Sequence, residues 1–156
     1  MSVEKVREYL KSYGVAEKVR EFDESSATVE LAAHAVGVIP ARIAKTLSFK
    51  KEDHCILVVT AGDQKIDNPK FKKTFGMKAK MLTADEVISM TGHAIGGVCP
   101  FAVPDEVEVY LDESMRRFET IFPAAGSSSS AVELTCEELE ECSKARAWVD
   151  VCKPMA

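Results

Sequence analysis

Residues 43–60 decide the fold, and they read IAKTLSFKKEDHCILVVT. Cys55–Thr60 is a continuous apolar run rich in β-branched residues, which predicts a central strand that is covered on both faces. Ile43–Phe49 is compatible with a preceding strand, and Lys50–His54 has the length of a hairpin connection. The sequence therefore predicts a hairpin whose second strand lies inside a sheet.

Helical and strand patterns flank this hairpin on both sides. Caps and apolar spacing predict helices at 2–13 (capped by Ser2), 29–36, 68–75 (capped by Asn68, with Phe71 and Phe75 docked on the core), 83–90 and from Thr135 onward. Capping boxes open the last two helices, at Thr83–Glu86 and Thr135–Glu138. Further strands are predicted at 17–22, 107–111, 120–126 and 148–151.

Length and composition are typical of one globular domain over residues 1–156. Apolar residues make up 46% of the chain and charged residues 29%. The N-terminus lacks the apolar segment of a signal peptide, and no window is long enough to span a membrane. The five cysteines form no C-x-x-C, and the three histidines show no ligand spacing, so we expect reduced thiols in a cytoplasmic protein without metal or cofactor.

The net charge of −5 conceals one basic segment, because six lysines face a single acid between Gln64 and Lys80. Lys70, Lys72 and Lys73 lie on the outer side of the helix predicted at 68–75. This patch could contact a polyanion such as RNA. It could equally be a solvated helix face, which is the common role of surface lysines.

The loop Thr91–Phe101 holds three glycines and a proline with apolar residues between them. A flexible surface linker of that glycine content would be polar, so these glycines indicate positive φ angles or close approach by another group. Such a rigid loop with bare N–H groups can hold an oxyanion. A tight turn packed for structural reasons alone is the other interpretation.

Lys45 lies among apolar and small residues at the start of a core strand. Lysine is rarely buried without a partner, so the side chain either extends along the strand end to solvent or is itself a cation that is held at the mouth of a pocket and aimed at substrate. No G-x-S-x-G elbow and no cysteine–histidine pair is evident, so no covalent intermediate is expected.

Three motifs together resemble the YbaK/EbsC family of aminoacyl-tRNA deacylases, which is related to the editing (INS) domain of bacterial prolyl-tRNA synthetase. They are Ala44-Lys45-Thr46-Leu47, Gly96-Gly97-Val98-Cys99-Pro100, and Gly126-Ser127-Ser128-Ser129-Ser130 with the following Val132-Glu133-Leu134. The resemblance covers most of the chain. It implies an α/β (α+β) fold in which helices surround a mixed, barrel-like β-sheet.

The resemblance also implies a trans-acting editing hydrolase that cleaves the ester of mischarged tRNA with water and without a metal. Lys45 and the amides near Gly97 would be catalytic, and Lys70, Lys72 and Lys73 would contact the tRNA. The partners would be the acceptor end of aminoacyl-tRNA and, in addition, an aminoacyl-tRNA synthetase. The substrate-binding residues would be Ser26, Thr28, Thr46, His93, Gly96, Cys99, Pro100, Gly126, Ser127 and Ser129.

Two departures from the family pattern change the expected pocket. Many relatives have charged residues in the last loop and an aspartate near position 131, where this chain has serines and Ala131; the residue before Pro100 is often serine, where this chain has Cys99. The amino acid removed is therefore not implied. Two alternatives remain, a non-catalytic module that binds an amino acid, a nucleotide or a synthetase, and a hydrolase of another small ester.

Overall fold

A curled six-stranded half-barrel sheet is the centre of the structure, a computed structural model that describes residues 3–94 and 96–155. The predicted cap Ser2 lies outside these residues. The helices are α1 (Val3–Lys11), α2 (Val29–Val36), α3 (Asn68–Phe75), α4 (Ala84–Thr91) and α5 (Cys136–Ser143). The strands are β1 (Val19–Glu21), β2 (Ile43–Lys51), β3 (His54–Ala61), β4 (Gln64–Ile66), β5 (Glu108–Asp112), β6 (Thr120–Pro123), β7 (Ser130–Val132), β8 (Leu134–Thr135), β9 (Ala147–Val149) and β10 (Cys152–Pro154).

The main sheet has the order β8-β6-β2-β3-β5-β9 and mixes both pairing directions. β2 and β3 form the predicted antiparallel hairpin, whereas β2 with β6 and β3 with β5 are parallel pairs. Two further antiparallel pairs, β1 with β7 and β4 with β10, lie outside this sheet. The prediction of a mixed, barrel-like sheet surrounded by helices is confirmed.

β3 is covered on both faces, as its apolar sequence predicts. Cys55, Leu57 and Val59 belong to the larger core, which packs against α1, α4 and α5, while Ile56 and Val58 face a second core. Phe71 is fully buried in that second core and contacts the rings of Phe49 and Phe75, with centroids 4.8 Å and 4.7 Å away. A side chain of this size stabilises a fold by about 1.5–3 kcal/mol when it is buried.

The predicted capping residues are found at the helix ends, except at the start of α3. Both capping boxes are present, and Gly37, Gly76 and Gly92 end their helices in left-handed conformations. Asp67, not Asn68, caps α3, because the Asp67 carboxylate accepts the N–H of Lys70. Pro69 consequently lies at the second helical position, where its missing N–H would have had no helical acceptor.

The C-terminal segment contains a strand that local patterns did not predict. Trp148–Val151 was expected as the last strand; β9 ends at Val149, and β10 then pairs with β4. β10 is only half apolar, so its strand conformation depends on β4 and not on its own periodicity. Within the described residues, no helix has both the length and the apolar character that crossing a membrane requires.

Candidate active site

A cavity of about 260 Å³ opens beside the first half of β2. It lies between β2, the N-terminal end of α2, the glycine loop after α4 and the loop that precedes β7. Its lining is mostly apolar, with a few hydroxyls and one cation. The lining residues are Ser26, Ala27, Thr28, Val29, Ala32, Ile43, Ala44, Lys45, Thr46, Ser48, Met81, Leu82, Val87, Gly96, Val98, Phe122, Ala124, Ser130 and Ala131.

The glycine loop is pressed against the serine loop Ser127–Ser130. A Cβ atom at Gly97 would lie 2.9–3.0 Å from three backbone atoms of Ser127, closer than real contacts allow. Gly96 has φ +91° and faces Ala27 and Ser128 at 3.3 Å and 3.5 Å from its hypothetical Cβ. The predicted close approach of another group to these glycines is therefore confirmed, and that group is the backbone of the later loop.

The N–H groups of this loop differ in their availability. Gly97 donates its N–H to the carbonyl of Ala94 at 3.0 Å, so this amide is already used within the loop. Gly96 and Val98 line the cavity, and within residues 3–94 and 96–155 their N–H groups have no acceptor. The amides that could stabilise an oxyanion in this conformation are those that flank Gly97. Ile95 lies outside the described residues.

Lys45 is among the residues that line the cavity, and its ammonium lies on the face of β2 opposite to the side chain of Thr46. Nζ donates to the carbonyl of Gln64 and lies 3.9 Å from Sδ of Met155. Burial lowers the pKa of Lys45, and the carboxylates of Asp63 and Glu30 oppose this effect. Consecutive strand residues point to opposite faces, so this ammonium and the side chain of Thr46 reach different parts of a ligand.

Thr46 lies with Ala44 and Ser48 on the face of β2 that lines the cavity. Oγ1 of Thr46 is fully buried and has no hydrogen-bond partner among residues 3–94 and 96–155. The hydroxyl of Ser48 also lacks a partner within the described part of the chain. The strand therefore carries two hydroxyls without a described partner, on residues separated by about 7 Å as i, i+2 neighbours.

The other hydroxyls near the cavity hold the loops in place. Thr28 caps α2 by accepting the N–H of Leu31, and the N–H of Ser26 donates to the carbonyl of Ser128 at 2.6 Å. Ser130, which lines the cavity, bonds the hydroxyl of Ser127 at 2.9 Å and the carbonyl of Ser127 at 3.3 Å. Gly126, Ser127 and Ser129 do not line the cavity; of these, Ser127 bonds Ser130, which does.

His93 and Cys99 form a buried pair beneath the glycine loop, although the sequence showed no cysteine–histidine pair. Sγ of Cys99 lies 3.5 Å from Nε2 of His93, which bonds the carbonyl of Phe101 at 2.8 Å. Both residues are fully buried, and burial raises the pKa of the Cys99 thiol to about 12. This protonated, inaccessible thiol cannot act as a nucleophile. Neither residue lines the cavity, and Pro100 lines a different depression.

The lysine segment continues from the cavity across the surface. Met81 lines the cavity, and the residues around it pair with β2, since Lys50 N–H donates to Lys80 at 2.7 Å. Lys72 and Lys73 are exposed and have no ion pair among the described residues. Lys70 differs, because its ammonium bonds Asp150 at 3.0 Å and the carbonyl of Cys152 at 3.1 Å.

Sequence patterns named as site residues only five of the nineteen residues that line the cavity: Ser26, Thr28, Lys45, Thr46 and Gly96. Val98 and Ser130 lie in the quoted motifs without an assigned role, whereas Ser48, Leu82 and Phe122 were not singled out. The alternation Ala44, Thr46, Ser48 could have found Ser48 from the predicted strand. Leu82 and Phe122 come from a loop and from β6, which meet β2 only in the folded chain. No group of three His, Cys, Asp or Glu side chains within the described residues is arranged to hold a metal ion.

Comparison with known proteins matches residues 23–142 to the family model of the aminoacyl-tRNA editing domain. YwhH of Bacillus subtilis, an uncharacterized protein, is 54% identical over 98% of both chains. EbsC of Enterococcus faecalis, a candidate Cys-tRNA(Pro)/Cys-tRNA(Cys) deacylase, is 28% identical over 76% of this chain and 73% of its own. A crystal structure of a candidate trans-editing enzyme for prolyl tRNA synthetase is 29% identical and superimposes with a TM-score of 0.87 over 98% of this chain and 99% of its own.

Proposed function

Because the chain belongs to the aminoacyl-tRNA editing domain family, we propose that it is a trans-acting deacylase that removes wrongly attached amino acids from tRNA. The observation that supports this is the single cavity that Lys45, the glycine loop and the serine loop line together. Its volume, about 260 Å³, suits an aminoacyl group and leaves the terminal nucleotide at the opening. The protein would act in the cytoplasm, on the acceptor end alone or beside a synthetase.

Hydrolysis in this cavity requires no covalent intermediate. Water adds to the ester carbon, the carbon–oxygen bond to the ribose breaks, and the products are the free amino acid and the tRNA hydroxyl. The N–H groups of Gly96 and Val98 stabilise the developing oxyanion, and donors fixed in advance are worth most here because they need no reorganisation. A loop carbonyl positions the water, since the hydroxyl of Ser130 is already used in bonds with Ser127. The mechanism proposed is free of metal.

Lys45 contributes charge at the opening of the cavity. Its ammonium exchanges the carbonyl of Gln64 for an anionic group of the substrate, and the terminal phosphate suits its direction better than the ester oxyanion. Lys72 and Lys73 extend this positive surface toward the acceptor stem. Gly97 acts through its missing side chain, which allows the two loops to touch.

A panel of mischarged tRNAs, incubated with wild type and Lys45→Ala, tests the proposal. We expect turnover of at least one member and a decrease in kcat/KM on the order of 10- to 100-fold in the variant, as for the loss of a charged contact. Lys11→Ala, at an exposed lysine of α1 that forms an ion pair with Glu8, is the matched control and should keep wild-type activity. Turnover that is absent throughout, or unimpaired in Lys45→Ala, would contradict the proposal.

One observation favours the non-catalytic alternative. Both groups predicted to be catalytic are internally bonded, Gly97 N–H to Ala94 and the Lys45 ammonium to Gln64. A module that only binds an aminoacyl group could keep both bonds. Saturable binding of an aminoacyl-adenosine amide, without hydrolysis of the corresponding ester, would identify this function.

A further inference from the structure

His93 is fully buried beneath the glycine loop and does not line the cavity, so any effect that it has on the reaction is indirect. Its Nε2 atom lies 2.8 Å from the carbonyl oxygen of Phe101, eight residues later in the chain. A carbonyl oxygen only accepts hydrogen bonds, so Nε2 carries the proton of the neutral ring. Nδ1 is then a bare acceptor, and it has no partner in residues 3–94 and 96–155.

The surroundings of the ring favour this neutral tautomer. Burial lowers the pKa of His93, the charge of Lys5 acts in the same direction, and the bond to Phe101 opposes both. Moving the proton from Nε2 to Nδ1 would break that bond. It would also leave a buried N–H group with no acceptor among the described residues, and such donors are rare because they destabilise a fold. The ring is therefore held as a donor to Phe101.

Both ends of this hydrogen bond are fixed to the rest of the fold. The backbone N–H of His93 donates to the hydroxyl of Thr91 at 3.0 Å, and that hydroxyl donates to the carbonyl of Val87 in α4 at 2.6 Å. At the other end, Phe101 is fully buried in the larger core. The side chain of His93 therefore joins the beginning of the glycine loop to its end and holds both against α4.

The segment that this bond encloses carries the amides proposed to stabilise the oxyanion. Gly96 and Val98 lie between His93 and Phe101, and their N–H groups have no acceptor within the described residues. Contact with the backbone of Ser127 holds the middle of the loop, but it leaves the base of the loop to the histidine. Oxyanion donors are effective when their direction is fixed before the reaction, so the closure of the base bears on catalysis.

We infer that His93 is a positioning residue, whose bond to Phe101 closes the base of the glycine loop and thereby orients the N–H groups of Gly96 and Val98. This inference rests on the proposed function. The imidazole does not line the cavity, so it neither touches the substrate nor exchanges a proton with it. Loss of the bond should therefore slow the chemical step and leave the binding of tRNA intact.

The test compares side chains that can and cannot reach the carbonyl of Phe101. The amide nitrogen of His93→Gln can take the place of Nε2, whereas His93→Asn is one methylene shorter and His93→Leu has no donor. On a mischarged tRNA that wild type hydrolyses, kcat should fall about 10- to 100-fold in His93→Asn and His93→Leu, with KM within a factor of about 2. His93→Gln should restore most of the rate.

Thermal unfolding separates this role from a purely structural one. Circular dichroism identifies a temperature at which every variant is folded, and the kinetics are measured there. His34→Asn, at an exposed histidine of α2, is the matched control and should keep wild-type kinetics. A lower Tm with an unchanged kcat in His93→Asn and His93→Leu would overturn the inference. A higher KM in place of a lower kcat, or a glutamine variant as slow as the asparagine variant, would also overturn it.

Failure of the proposed function gives a different result from failure of this inference. If no ester is hydrolysed, NMR spectra of the ¹⁵N-labelled free proteins replace the kinetic comparison. His93 should show the Nε2–H tautomer, and the amides of Gly96 and Val98 should exchange with solvent faster in His93→Asn than in wild type or His93→Gln. That result supports the same positioning role in a non-catalytic module. The Nδ1–H tautomer, or unchanged exchange in His93→Asn, overturns it.

Discussion

Gly97→Ala tests whether contact between the two loops shapes the cavity. The added Cβ would lie 2.9–3.0 Å from the backbone of Ser127, whereas carbon atoms normally approach to about 3.5–4.0 Å. All three contacted atoms belong to the backbone of Ser127, so no flexible side chain can move aside. The loops must therefore separate by about 0.5–1 Å. Overpacking of this kind costs about 1–3 kcal/mol.

The net magnitude follows from two opposing effects. Alanine restricts the unfolded chain, which stabilises the folded state by about 0.4–1 kcal/mol. The φ of Gly97 is not in the left-handed region, so alanine adds no backbone strain. The free energy of unfolding should fall by about 1–2 kcal/mol, which lowers Tm by about 2–8 °C in a chain of this size. Because Gly96 and Val98 move with Gly97, deacylation should fall by about 100-fold, as for a 1 Å misplacement.

Gly14→Ala is the matched control for this variant. Gly14 has φ +74° and open space around its hypothetical Cβ, so alanine there adds backbone strain without a clash. Its stability cost is about 1 kcal/mol after the same entropic return, and the site lies at the end of α1, away from the cavity. Differential scanning fluorimetry and single-turnover deacylation measure both effects. Wild-type behaviour of Gly97→Ala, or an equal activity loss in Gly14→Ala, would refute the reasoning.

Two further predictions concern the surface and the end of the sheet. The double variant Lys72→Ala, Lys73→Ala should weaken binding to any tRNA and reduce the slope of log K against log salt concentration by up to about 2, measured by filter binding; an unchanged slope places the tRNA elsewhere. Burial alone would raise the pKa of Glu108. Hydrogen bonds, of which the one from His54 (2.7 Å) has the largest effect, lower this pKa to about 2. Its contribution to stability is therefore complete above pH 4.5 and is lost as pH falls toward 2. The same bond raises the pKa of His54, whose contribution is complete below about pH 6.5 and is lost as pH rises through the raised value. Glu108→Gln should remove both dependences from urea unfolding measured across pH, and a variant with the wild-type profile would contradict the assignment.

The predictable part of the fold was the part encoded locally. β3 followed from an uninterrupted apolar run, and the helix starts at Thr83 and Thr135 followed from capping boxes, since each signal lies within a few residues of what it determines. The chain also signalled the glycine loop, because backbone crowding at Gly97 disfavours every residue that has a Cβ. In these cases the sequence pattern and the physical cause are the same.

What sequence patterns missed depends on distant segments that meet only in the folded chain. The direction of the Lys45 ammonium is set by the carbonyl of Gln64, and β10 forms because β4 offers an edge. The buried pair of His93 and Cys99 follows from the path of a loop, which has no periodicity to read. Sequence patterns identified Lys45 as an unusual lysine, but they could not predict the position of its ammonium group.

The cavity combines two kinds of structure, and this division bears on how substitutions in its lining act. β2 is paired with β3 along its whole length, so Thr46 and Ser48 stand on a rigid strand. Gly96 and Ser130 stand on two loops that hold each other through Gly97 and Ser127. Substitutions in the serine loop, where this chain departs from the family pattern, therefore act on the geometry of both loops. Substitutions on the cavity face of β2 leave the contact between the loops in place. Thr46→Val, which removes a buried unpaired hydroxyl, should consequently keep wild-type stability, whereas Gly97→Ala should lower stability and slow deacylation of every aminoacyl group.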